Sequence, residues 1–168
     1  SGSGMVMHTC NPRLHPDQLS YIINHADDEV VLFDSTFAPL IKAIASHCPK
    51  VKHWICLSDQ ANTPQVDGVV IQNYEDFIAP HSAVFAWPEL DEKSGAALCY
   101  TSGTTGLPKG VMHSHNTQMW AILTVTASSD FANGDRYINP MPMFHVAALT
   151  PAIVAVYRGL THVMMRAF

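Results

Sequence analysis

An α/β fold on a partly parallel sheet with helical crossovers is what this sequence predicts, and three observations predict it. Short apolar runs of strand length alternate with longer stretches of helical periodicity from Pro16 to Met165. Pro and Gly clusters, with no internal repeat, separate the runs. One apolar run, residues 96–100, passes straight into a loop dense in Gly, Ser and Thr that a further helix-length stretch follows, the strand, loop and crossover order of parallel sheets.

Each element has its own reason. Leu19, Ile22, Ile23 and Ala26 recur at three- and four-residue steps behind Pro16 and Asp17, which suit the first turn of a helix. Residues 30–33 are a buried strand ending at Asp34, and Ser35 or Thr36 is expected to cap a helix over 37–45. Residues 54–57 form a second strand, 60–68 a polar turn, 69–71 a third strand and 74–78 a helical turn, with 79–95 irregular. After the loop, a helix over 114–128, a strand over 136–139, a helix over 146–157 and a strand over 161–165 complete the alternation.

The 168 residues and 48% hydrophobic content suffice for one compact unit. Ser1–Gly4 reads as an expression scar ahead of Met5, leaving 5–168 as the natural segment. A formal net charge of -5, with 9 Lys and Arg thinly spread, excludes a nucleic-acid surface. Four cysteines without a CxxC pair point to a reducing, cytoplasmic setting. Residues 138–157 lack charge over a length near the roughly 20 residues of a membrane span. Pro140, Pro142 and Pro151 are expected to break them, so no transmembrane segment is expected.

The chemistry concentrates in Tyr100-Thr101-Ser102-Gly103-Thr104-Thr105-Gly106-Leu107-Pro108-Lys109-Gly110-Val111, which holds three glycines, four Ser/Thr hydroxyls and one lysine. Gly103, Gly106 and Gly110 permit backbone turns that aim successive N–H groups at anionic oxygens. The hydroxyls add donors, and Lys109 adds a full positive charge held by the restricted Pro108. The spacing differs from the Walker loop, whose lysine follows the last glycine directly. Composition alone favours a mobile surface loop, and only the full ordered string changes that weighing.

As an ordered string, residues 100–111 closely resemble the signature loop of the adenylate-forming (AMP-binding) superfamily, which contains acyl-CoA synthetases, firefly-type luciferases and peptide-synthetase adenylation domains. Pro142-Met143-Phe144-His145 resembles that family's Pro-x-Phe-His segment. His8-Thr9-Cys10-Asn11-Pro12-Arg13-Leu14 with residues 18–23 is similar to the fatty acyl-CoA ligase branch. The resemblance implies an incomplete part of the large N-terminal domain of an acyl-CoA synthetase. That enzyme joins a carboxylate, here a fatty acid, to ATP with release of pyrophosphate, and coenzyme A then takes the acyl group through its thiol.

By motif position, Thr101, Ser102, Gly103, Thr104, Thr105, Gly106 and Lys109 would hold the β- and γ-phosphates, with Mg2+ spreading their charge. His145 would lie at the acyl carboxylate, and Lys109 and His145 would be the catalytic pair. Without the string, His145 reads as a satisfied core histidine and Trp120 as a buried aromatic on a core-facing stripe, with the acyl tunnel as its other setting. His113 and His115 lack a companion carboxylate or cysteine at ligand spacing, so no metal is expected; His115 is read as supporting the base of the loop.

No Asp or Glu follows Asp135 and no Lys follows Lys109, so the family's later glutamate, aspartate and lysine have no counterpart in these residues. The resemblance therefore implies a fragment that is inactive alone and self-associates to cover apolar faces. Two other readings stay open: a stand-alone noncatalytic phosphate-binding or interaction module, and a peptide-synthetase adenylation domain.

Overall fold

The computed structural model describes residues 1–58, 62–101 and 106–165. Its elements in chain order begin with β1 (Met7–His8), α1 (Pro16–His25), β2 (Val30–Phe33), α2 (Ala38–Ile44), β3 (His53–Cys56), β4 (Ile71–Asn73) and α3 (Tyr74–Ile78). They continue with β5 (Gly95–Thr101), β6 (Lys109–Ser114), α4 (His115–Ala127), β7 (Arg136–Asn139), α5 (Val146–Arg158) and β8 (Thr161–Met164). The α/β class is borne out, and every strand pair with a resolved register is parallel. Where composition suggests one compact unit, the described chain divides into two: residues 1–11, 87–101 and 111–165 form one, and 12–86 with 106–110 the other.

In the second unit β2, β3 and β4 lie side by side, with Val30 opposite His53 and Trp54 opposite Ile71. Parallel neighbours need a crossover. Between β2 and β3 this is α2, flanked by 3₁₀ turns at Ser35–Phe37 and Ala45–His47. The cap is Asp34, not Ser35 or Thr36. Its Oδ1 accepts the Thr36 N–H at 2.9 Å and turns the chain through the 3₁₀ segment before α2 starts. The stripe on α1 places Leu19, Ile22 and Ile23 in the core with Ile41, Ile44, Ile55 and Cys56. Each such aliphatic side chain contributes roughly 1.5–3 kcal/mol of burial. β4 falls at 71–73 instead of 69–71, because Val66 and Val69 close a small antiparallel bridge first.

In the first unit β1 runs parallel to β5, Met7 opposite Ala97 and His8 opposite Leu98. β6 lies on the other side of β5, with 111–114 in this unit. His115 N–H donates to the Ser94 carbonyl at 3.2 Å and Asn116 N–H to that of Glu92 at 2.8 Å, so the end of β6 returns beside the start of β5. Neither β1 nor β6 stands out in the sequence: β1 is two residues long, and β6 reads there as the close of the loop.

Ser114 caps α4 by accepting the Thr117 N–H at 3.2 Å. α5 crosses from β7 to its parallel neighbour β8, with Arg136 opposite Thr161. It continues through Pro151, which does not break it; Ala147, whose carbonyl loses its partner to the proline, is exposed. α5 stops at Gly159, whose φ of 69° is left-handed. No helix among the described residues is long and apolar enough to cross a membrane. Trp120 is 63% exposed, so the expectation of a buried aromatic fails. α4 is apolar around its circumference, so its periodicity marks no single inner face, and it buries Ile122 instead.

Candidate active site

β5 ends at Thr101 and β6 begins at Lys109, so strand ends flank the Gly/Ser/Thr loop. Ser102, Gly103, Thr104 and Thr105 lie outside the described residues. Thr101, Gly106 and Lys109 are exposed. Gly106 does not use a left-handed conformation, and a Cβ there would meet nothing within 4 Å. Its value to the site is therefore open backbone, not a special φ. No Asp or Glu occurs between Lys93 and Asp130. A hydroxyl, an open backbone and an ammonium, on a stretch of sequence without acidic residues, are groups that suit phosphate oxygens. The same set gives Mg2+ no carboxylate ligand, so the fit is to the anion and not to the metal.

His145 sits where β7 hands over to α5. Its N–H donates to the Pro142 carbonyl at 3.0 Å, and its own carbonyl accepts the N–H groups of Ala148 and Leu149 at 2.9 and 3.1 Å. The side chain caps α5: Nδ1 accepts the Ala147 N–H at 3.1 Å. The sequence reading as a satisfied core histidine does not hold, because the residue is exposed. With Nδ1 accepting, the neutral ring carries its proton on Nε2 and presents an N–H donor outward. That polarity suits a carboxylate oxygen.

A buried amide secures this turn. Asn139, 1% exposed at the end of β7, donates from Nδ2 to the Ala148 carbonyl at 2.9 Å and to the Met143 sulfur at 3.6 Å. Sequence reasoning missed it, although an asparagine between an apolar strand and a proline was the available signal.

Val146, the residue after His145, lines a cavity of about 50 Å³ together with Leu149 of α5, Ala97 and Cys99 of β5, His113 of β6 and Ile122 of α4. It is mostly apolar and has room for a few atoms of the size of a methylene or a water. His113 belongs to this wall, while the His115 N–H is committed to Ser94 at the foot of β5 and β6. Trp120 is not among the lining residues.

Strand, loop, strand and helix follow in this order over β5, the Gly/Ser/Thr loop, β6 and α4, an α/β segment with its glycine-rich loop at a strand end. Residues 1–168 match the AMP-binding enzyme family, and the chain belongs to it. It is 44% identical to a medium-chain-fatty-acid–CoA ligase of Ectopseudomonas oleovorans, the match covering 88% of this chain and 28% of the relative. It is 43% identical to the 3-methylmercaptopropionyl-CoA ligase of Ruegeria pomeroyi, again over 88% of this chain and 28% of the relative. Among solved structures, the inhibitor-bound N-terminal domain of FACL13 from Mycobacterium tuberculosis superposes with a TM-score of 0.80 at 31% identity, covering 95% of this chain and 37% of that one. The chain thus spans under a third of the length of these curated relatives.

Proposed function

We propose that these residues are the phosphate-loop segment of a longer, cytoplasmic, ATP-dependent acyl-CoA ligase that adenylates a fatty acid and passes the acyl group to coenzyme A. The observation that carries this is the acid-free loop between Thr101 and Lys109, in a chain whose relatives are CoA ligases. ATP supplies the leaving group that turns a carboxylate into an acylating agent.

The rest is work for this chain's residues. Thr101, Ser102, Gly103, Thr104, Thr105, Gly106 and Lys109 hold the outer phosphates, whose charge Mg2+ would help to spread when bound. The Nε2–H of His145 donates to the carboxylate, and the cavity behind Val146 receives the first apolar groups of the acid. The isolated 168 residues bind ATP weakly and do not turn over, since phosphate contacts alone are screened by salt. Exposed Val156, Tyr157, Met119 and Trp120 favour self-association of the isolated chain.

The test is pyrophosphate exchange by the complete enzyme across a series of carboxylates. Exchange that depends on a fatty acid and falls at least a hundredfold in Lys109→Ala supports the reading. Exchange driven by amino acids, or none, overturns it.

A further inference from the structure

Thr9, just past β1, makes two contacts that no assigned role uses. Its hydroxyl donates to the Phe144 carbonyl at 3.0 Å, across 135 positions of sequence. The same Oγ1 lies 4.0 Å from Cys99 Sγ on β5. Phe144 is the residue before His145, and β5 is the strand that leads into the Gly/Ser/Thr loop. One half-buried hydroxyl therefore touches both the strand that delivers the phosphate loop and the turn that delivers the histidine.

We infer that Thr9 is a positioning residue: its hydroxyl, by holding the Phe144 carbonyl against β5, fixes the turn from which His145 caps α5 and points its Nε2–H outward. The physical reason is the shortness of the linkage. Fixing the 144–145 peptide restricts the backbone on which the His145 ring must reach the Ala147 N–H, and that hydrogen bond selects the Nε2–H tautomer. Without Thr9 the peptide plane rotates more freely, the cap opens more often, and the donor loses its direction. For catalysis this rests on the ligase reading above; for the geometry it does not.

The experiment pairs Thr9→Ser, which keeps the hydroxyl, with Thr9→Ala, which removes it; neither adds volume, and circular dichroism checks that both fold. In the 168-residue chain, hydrogen exchange of the Ala147 amide and the ring-nitrogen shifts of His145 are read by NMR. Thr9→Ala is expected to exchange Ala147 about fivefold faster and to move the ring from Nε2–H towards mixed tautomers, with Thr9→Ser close to wild type. Equal behaviour of the Ser and Ala variants overturns the inference, because it assigns any effect to the lost methyl. If Thr9→Ala does not fold, Thr9→Ser alone decides: wild-type protection and ring shifts support the hydroxyl role, and their loss overturns it.

In the complete enzyme Thr9→Ala should lower kcat for pyrophosphate exchange about fivefold, leave KM for ATP unchanged, and be rescued by Thr9→Ser. An active wild type with an unaffected Thr9→Ala refutes the positioning role in catalysis. An inactive wild type refutes the ligase reading and leaves the Ala147 and His145 signals to judge Thr9.

Discussion

Two regions of this chain, one from each unit, bury their large side chains differently. In residues 12–86, Ile22, Ile23, Ile41, Ile44, Ile55 and Cys56 are all enclosed around a three-stranded parallel sheet. In residues 111–165, two helices of equal length enclose only Ile122, Ala148, Val154 and Ala155, while Met119, Trp120, Val156, Tyr157, Ile138 and Val163 face outward. The first carries its own core; the second carries the histidine turn and the cavity on a scaffold with apolar surface to spare. The difference teaches that the histidine turn and the cavity stand on the region with more exposed apolar surface, open to further contacts, while the described end of the loop, 106–110, belongs with the more enclosed one.

The sharpest way to break that comparison is to truncate one apolar side chain in each unit. Ile55→Ala should cost about 2–5 kcal/mol by urea denaturation, since a buried isoleucine leaves both lost transfer energy and a void. Trp120→Ala, on an outward face, should cost within about 0.5 kcal/mol in the monomer. Equal costs would remove the contrast.

Next in size, Gly159→Ala tests how tightly the unit with the histidine turn closes where it is regular. A Cβ at this left-handed position would lie 2.5 Å from Asn133 Nδ2, whose amide also donates to the Arg158 carbonyl. A loss of about 1–3 kcal/mol is expected from strain at the end of α5, seen as a lower Tm. An unchanged Tm would mean that the end of α5 frays before unfolding.

The smallest effect concerns acid. Asp34 accepts hydrogen bonds from the backbone N–H and the hydroxyl of Thr36, which hold its carboxyl below the usual carboxylate range. The folded state then binds this proton less readily than the unfolded one. The contribution is present above the ordinary carboxylate value and is lost as pH falls through the lowered one. Because the group is exposed, Asp34→Ala should flatten the acid side of the stability curve only slightly, by no more than about 1 kcal/mol. In the opposite sense, burial pushes the Cys48 thiol up, so Cys48 should resist alkylation at pH 8 while the half-buried Cys10 and Cys99 react.

Much of this was legible in the sequence. Periodicity marked α1, an apolar run marked β2, though Val30 and Leu32 are exposed where a buried strand is expected, and the alternation of strand-length and helix-length stretches marked α4, β7 and α5. The short strands β1 and β6 were not legible, since they exist only by pairing with β5. Trp120 misled for a related reason: an all-round apolar helix does not say which side its neighbours take. In the site, the ordered loop string and the Pro-x-Phe-His segment singled out Lys109 and His145. The capping bond of His145, the clamp from Asn139 and the contact of Thr9 with Phe144 join residues as many as 135 positions apart, and no local pattern announces them.

The central claim, that the loop between Thr101 and Lys109 holds phosphate, is tested most directly by calorimetric titration of the chain with magnesium ATP beside Lys109→Ala, at low and moderate salt. Weak, saturable binding that fades with salt and disappears in Lys109→Ala is the expected result. Saturable binding indifferent to Lys109, or no heat from either protein, would contradict it.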